Sequence, residues 1–250
     1  MATTEGRYRA RFAADPQDVR RAQALRWRAF RARREGAPRE GVDADAFDDR
    51  ALHGLVEATA DGRLVACFRL IRFECGADIE ASYSAQFYGL SRLSRHPGPL
   101  AEMGRFCTEP SLADPAALRV AWALAAGFVA RERIAVLFGC TSFEGVEAER
   151  YAETFALLGE RHLAPRRWLP RVKAPAVFRF AGRLRPPRAP DLKAALRAMP
   201  PLLRSYLAMG GWVSDHAVID RDLGTLHVFT GLEVAAVPAA RARALGATPA

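Results

Sequence analysis

The feature that most constrains this chain is a β-hairpin set inside an alternation of helices and strands. Leu55 to Ala58 and Leu64 to Phe73 are apolar runs of strand length on either side of an Asp61-Gly62 turn. Such a hairpin favours a mixed sheet over a doubly wound parallel one. Around it, Pro16 to Arg34 predicts a first helix, with Val19, Ala22, Leu25, Ala29 and Phe30 at helical spacing and Arg20, Arg21, Arg28, Arg31 and Arg34 opposite. Ala101 to Thr108 predicts a strand, Pro115 to Arg131 a helix, Ile134 to Gly139 a buried strand, Glu149 to Leu158 a helix and Ala176 to Phe180 a strand. A Pro-rich linker, Arg183 to Pro190, leads to a helix over Leu192 to Met209 and strands near Trp212 to Ile219 and Leu226 to Thr230. The order predicts an α/β fold in which helices flank a mixed central sheet.

The 250 residues suffice for one large domain with an appendage. The division read from the pattern is a domain over 1–182, an extension over 191–235 packed on it, and a disordered tail over 236–250. The net charge of +9 is almost all arginine, since lysine occurs only at Lys173 and Lys193, and it points to an acidic partner. Cys67, Cys75, Cys107 and Cys140 lie in or beside apolar runs without a C-x-x-C pair, the pattern of buried free thiols in a reducing compartment. Residues 1–11 carry no apolar signal core, and no apolar run reaches the roughly 18–20 residues that span a bilayer. A cytoplasmic protein is expected, with peripheral contact at a membrane left open.

Missing motifs narrow the chemistry. There is no phosphate-binding G-x-x-x-x-G-K-[ST] loop, no G-x-G-x-x-G turn, no G-x-S-x-G elbow and no paired-histidine metal motif. Carboxylates, backbone amides and binding geometry are left to carry catalysis, and neither a metal nor a redox cofactor is expected. The stretch Ala101-Glu102-Met103-Gly104-Arg105-Phe106-Cys107 resembles the E-x-G-R-x-C signature of the ornithine N-acyltransferases that begin ornithine-lipid synthesis. Asp45-Ala46-Phe47-Asp48 followed by His53 resembles their acidic D-x-F-D…H element, and Leu64 to Leu70 their second hairpin strand, with Arg69 in place. Leu137 to Phe143, His162 to Pro165 and Met199 to Leu203 agree as well, so the resemblance spans roughly residues 8–235.

That family belongs to the GNAT superfamily and is similar to the acyl-homoserine lactone synthases. The resemblance implies transfer of a 3-hydroxyacyl chain from acyl carrier protein to the α-amine of L-ornithine, giving a lyso-ornithine lipid. One feature supports the carrier-protein donor independently. A donor bearing a pyrophosphate needs a Gly-rich loop before the helix after the central strand, and here that segment is Glu109 to Ala116, with two prolines, no glycine and Asp114.

Glu102 is the candidate base for the substrate amine; the alternative is an ion pair to Arg105 that only orders the strand. Arg105 and Arg69 suit the substrate carboxylate, or else pair with Asp45, Asp48 or Glu102. By resemblance, a backbone N–H at Cys107 or Thr108 would serve the oxyanion, whereas Cys107 as nucleophile has no histidine partner in view. Asp43, Asp45 and Asp48 either hold a cationic side chain or order the loop. Ser142 and Phe143, at a strand end, would line an acyl or pantetheine channel. The basic face of the first helix, with Trp27, is a candidate surface for anionic lipid or carrier protein, or is simply solvated.

One departure opens the acceptor. The family's Cys-Asp before the histidine is Ala51-Leu52 here, which would suit a neutral amino acid such as glutamine. Acyl-homoserine lactone synthesis and a non-catalytic carrier-protein or membrane-binding module are the further alternatives.

Overall fold

The computed structural model describes residues 2–32, 36–38, 40–112, 114–183 and 189–244. In chain order the elements are β1 (Ala2–Glu5), β2 (Tyr8–Phe12), α1 (Pro16–Phe30), β3 (Leu52–Ala58), β4 (Leu64–Phe73), β5 (Tyr88–Gly89), β6 (Leu100–Thr108), α2 (Pro115–Arg131), β7 (Val136–Glu144), α3 (Ala152–Arg161), β8 (Arg171–Val172), β9 (Val177–Phe178), α4 (Phe180–Arg183), α5 (Leu192–Ala198), α6 (Pro201–Ala208), β10 (Trp212–Asp220), β11 (Thr225–Glu233) and α7 (Ala239–Ala244). The predicted α/β class is the one found. The contacts divide the chain into two interleaved units: residues 1–72, 101–134 and 239–250, and residues 73–100 and 135–238.

In the first unit the strands run in the order β1-β2-β3-β4-β6. β2 pairs antiparallel with β3, and β3 with β4 from Leu52↔Leu70 to Glu57↔Leu64. β3 and β4 approach closely at Gly54, where an added Cβ would stand 2.3 Å from the Phe68 ring. α1 begins where Asp15 accepts from the Asp18 amide and Pro16 supplies a preset first turn. Its buried stripe is Asp18, Ala22, Leu25 and Arg26, so two charged residues share the face that packs on the sheet. Arg11 explains one: it binds Asp18 at 2.5 and 2.9 Å and Glu57 of β3 at 2.9 and 3.0 Å. The helix ends at Phe30; Arg34 lies outside the described residues.

α2 has the predicted bounds, but its buried face is Ala117, Val120, Ala121, Leu124, Ala125 and Phe128 together with Trp122. Small alanines let the helix sit close, and the larger Leu118 and Val129 at its flanks are only half-buried.

In the second unit the order is β7-β11-β10-β9. β7 and β11 pair antiparallel over nine positions, from Val136↔Glu233 to Glu144↔Thr225. β10 joins β11 with a register shift between Val213 and Ala217. One side of this sheet packs Phe143, Leu226, Val228, Val213 and Ala217 against Phe155, Leu158, Ala195, Met199 and Leu203 of the helices. The 191–235 section, read as an extension packed on a domain ending at 182, therefore supplies two full strands and core side chains to this unit. The predicted tail begins with the α7 turn, and residues 245–250 lie outside the described residues.

Candidate active site

Between α1 and β3 stand four aspartates, two of which, Asp43 and Asp48, meet the buried Arg26 of α1. Arg26, 1% exposed, reaches them from the helix: its Nε donates to Asp43 Oδ2 at 3.1 Å, and its Nη1 and Nη2 bind Asp48 Oδ1 and Oδ2 at 2.7 and 3.1 Å. Arg69 arrives from β4, with Nη1 at 2.8 Å from Asp48 Oδ1 and 2.5 Å from Asp45 Oδ1. Arg105 arrives from β6, pairing with Asp45 Oδ2 at 3.0 Å and Asp43 Oδ2 at 3.2 Å. Arg31 closes the set at Asp43 Oδ1, 2.8 Å. Gln23 donates to Asp48 at 3.0 Å, His53 Nε2 lies 3.1 Å from the Asp48 carbonyl oxygen, and Phe47 packs its ring on the Arg69 guanidinium at 5.4 Å.

Burial alone would push all three aspartates toward the neutral form. The charges and hydrogen bonds of the arginines outweigh it, so Asp43, Asp45 and Asp48 are held below the usual carboxylate range. Burial, in turn, pushes the His53 pKa down and keeps the ring neutral. Buried ions persist only when paired this fully.

The cluster has an open edge. The Asp45 side chain is 22% exposed and that of Arg105 is 9% exposed, against 2% for Arg69 and 1% for Asp43. Arg105 itself has φ +52, a left-handed backbone that costs a non-glycine residue about 1–2 kcal/mol. Its two carboxylate partners hold it there. Glu102, three residues earlier on β6, is 2% exposed. Gly104 lies between them, and a Cβ there would meet Arg69 Nε at 3.7 Å.

Arg69 and Arg105 are thus in the ion pairs that were the alternative to gripping a substrate. The aspartates order the segment through arginines rather than standing free. Cys107 is buried with its Sγ 3.6 Å from Cys67 Sγ, and burial pushes its thiol pKa well up, which disfavours a thiolate nucleophile. Thr108 follows at the half-buried end of β6, and the Glu109 amide donates to the Val65 carbonyl at 2.8 Å. Asp43, Asp45, Asp48, Arg69, Glu102, Arg105, Cys107 and Thr108 all belong to the first unit. Ser142 and Phe143 belong to the second: Ser142 is exposed on β7, and Phe143 is a core residue with Tyr151 and Phe155 at 4.9 and 5.0 Å.

The N-terminus of α2 is self-occupied. Asp114 accepts from the Ala116 amide at 2.9 Å and from the Tyr8 hydroxyl at 2.9 Å, and pairs with Arg7 at 3.2 Å. The basic face of α1 is also largely engaged: Arg21 binds Glu57 at 2.8 Å, Arg28 binds Glu109 at 2.9 Å and Arg31 binds Asp43. Trp27 packs beneath Gly41, whose added Cβ would stand 2.5 Å from its ring. Among the described residues no group of three or more His, Cys, Asp or Glu side chains is placed to hold a metal ion, and no helix is long and apolar enough to cross a membrane.

The sequence reading missed Arg26, although a signal was present. It stands four residues after Ala22 and eight after Asp18, on the stripe that faces the sheet.

Residues 25–123 match the acetyltransferase (GNAT) domain family. Over nearly the whole chain the protein is similar to three proteins named L-ornithine N(alpha)-acyltransferase. The one from Rhodobacter capsulatus is 32% identical, with 95% of this chain and 94% of the relative covered. The Brucella abortus protein is 34% identical over 92% and 85%, and the Rhizobium meliloti protein 31% identical over 90% and 79%. The chain is an acyltransferase and belongs to the L-ornithine N(alpha)-acyltransferase family of the GNAT type.

Proposed function

We propose that the protein transfers a 3-hydroxyacyl chain from acyl carrier protein to the α-amine of L-ornithine. The observation that carries the acceptor is the match, over most of both chains, to relatives that share that name. In this reading the amine nitrogen attacks the thioester carbonyl carbon, and Glu102 takes the amine proton, directly or through water. The oxyanion is met by a backbone N–H at Cys107 or Thr108, and collapse breaks the C–S bond, the departing thiolate taking up the proton that Glu102 received and leaving as the carrier thiol. Arg105, at the open edge, meets the substrate carboxylate, while Arg26 and Arg69 act as positioning residues by fixing the three aspartates.

The donor rests on α2. A pyrophosphate needs free N–H groups at a helix N-terminus, and Asp114 already occupies this one with a negative charge. The net charge of +9 suits an acidic carrier protein.

A second reading, a neutral acceptor such as glutamine, is favoured by Leu52. It is 43% exposed beside His53 where the family carries an acidic residue, and the three aspartates nearby are each held by arginines. The test is to incubate the purified protein with 3-hydroxyacyl carrier protein or 3-hydroxyacyl-CoA and with ornithine or glutamine, and to identify products by mass spectrometry. Acyl-ornithine formed from the carrier protein supports the reading. Acyl-glutamine alone moves it to the second acceptor, equal use of the CoA thioester overturns the donor, and no acylated amino acid overturns it altogether.

A further inference from the structure

Within the second unit, α5 carries a face that the fold leaves uncovered. Its Ala195 and Met199 belong with Phe155 and Leu203 to the core of that unit, and the Thr154 hydroxyl of α3 donates to the Ala195 carbonyl oxygen at 2.9 Å. These contacts fix how the helix is turned. On the side that remains outward, Leu192 and Leu196 stand one turn apart and are 48% and 40% exposed. Lys193 and Arg197 repeat that spacing next to them and are exposed as well. The helix therefore shows solvent an apolar stripe beside a basic one.

Two observations separate this face from ordinary surface. A single exposed leucine needs no explanation, but of the five large apolar side chains exposed among the described residues, two share this one turn of helix. The cations are the second. Arg21, Arg28 and Arg31 of α1 are held by Glu57, Glu109 and Asp43, whereas Lys193, Arg197 and the exposed Arg204 of α6 make no salt bridge among the described residues. The nearby acids serve the backbone instead. Asp191 accepts from the Ala194 amide at 3.0 Å, and Glu153 accepts from the Asp191 amide at 2.6 Å.

We propose that α5 docks the second unit on an anionic membrane surface through Leu192, Leu196, Lys193 and Arg197. Leucines flanked by unpaired cations are complementary to a surface that is apolar beneath and negatively charged at its rim, which is the interface of a bilayer containing acidic lipids. Seven residues cannot cross a bilayer, so the helix lies in the interface plane. The long stems of Lys193 and Arg197 let their charges meet headgroup phosphates while the leucines enter the acyl boundary. Membrane contact thus falls to α5 rather than to the engaged basic face of α1. The choice of a lipid surface over an acidic protein rests on the acyl-transfer reading above, whose product is an amphiphile that partitions into bilayers.

The test is co-sedimentation of the full chain with vesicles of phosphatidylcholine alone or of equal parts phosphatidylcholine and phosphatidylglycerol. The variants are Leu192→Gln/Leu196→Gln, Lys193→Gln/Arg197→Gln and, as a control of equal charge change at exposed sites elsewhere, Arg20→Gln/Arg166→Gln. Wild type should bind the acidic vesicles and not the neutral ones. Each α5 pair should weaken that binding at least about tenfold, while the control stays within about threefold of wild type. A wild type that stays in the supernatant overturns the proposal, as does a leucine pair that binds like wild type. Equal losses in the control and the α5 cation pair also overturn it, and assign the binding to the net charge alone. Acyl transfer from soluble carrier protein should be unchanged in all variants. Loss of transfer in the α5 pairs with vesicle binding intact gives this face to the carrier protein and overturns the proposal. No transfer in wild type overturns the acyl-transfer reading, and the vesicle result still decides the docking.

Discussion

Removing the Arg26 guanidinium would leave Asp43 and Asp48 buried without the cation that bridges them. Arg26→Met is therefore expected to destabilise the chain by about 3–5 kcal/mol in a urea titration, since breaking one side of a buried ion pair strands the other. Glu102→Gln is a different kind of change. It keeps shape and loses basicity, so turnover should fall about 10²- to 10⁴-fold with the unfolding midpoint little moved. Equal turnover would remove Glu102 from the chemistry. His227 gives a pH dependence with a definite sign. Folding lowers its pKa from 6.5 to about 4, so the folded state binds this proton less readily than the unfolded chain. Its contribution, about 3 kcal/mol, is complete above pH 6.5 and disappears as pH falls toward 4. Unfolding titrations at pH 7.5 and 4.5 should show a smaller loss in His227→Phe than in the wild type. At this scale, the proposed base and its neighbouring arginine were legible from one motif, because E-x-G-R-x-C puts a carboxylate and a guanidinium three apart on one strand. Their partners were not, because an arginine on an apolar stripe looks like its solvated neighbours until the loop that covers it is seen.

The hairpin that organised the sequence reading is present as β3 and β4, and its closeness depends on Gly54. Gly54→Ala would place a methyl group within 2.3–2.8 Å of the Phe68 ring, and overpacking of this kind should cost about 1–3 kcal/mol by thermal or urea unfolding. Wild-type stability in that variant would show that Phe68 yields freely. The helices were legible where caps and prolines mark them: Asp15-Pro16 and Asp114-Pro115 begin α1 and α2 at the residues expected. The β1-β2 hairpin was not. Tyr8 and Ala10 are buried and alternate with Arg9 and Arg11, but the arginines gave this short segment the look of a polar terminus. Its partner on β3, Glu57, is what draws Arg9 and Arg11 into the sheet.

At the scale of the whole molecule the division of the chain is the main departure from expectation. Composition breaks at the Pro-rich stretch after residue 182, yet β11 bonds to β7 along nine positions across that break. A chain ending at residue 182 should therefore show no cooperative urea unfolding; a sharp transition would make the C-terminal section dispensable. Linker composition reports only on the local chain, and strand pairing over long sequence separation leaves no local trace. The interleaving has a consequence for synthesis. Residues 73–100 leave the ribosome ahead of the whole of the first unit's second segment, yet their Tyr88 waits for His227, 139 positions further on. The Tyr88–His227 contact can therefore form only once the last strand, β11, has emerged.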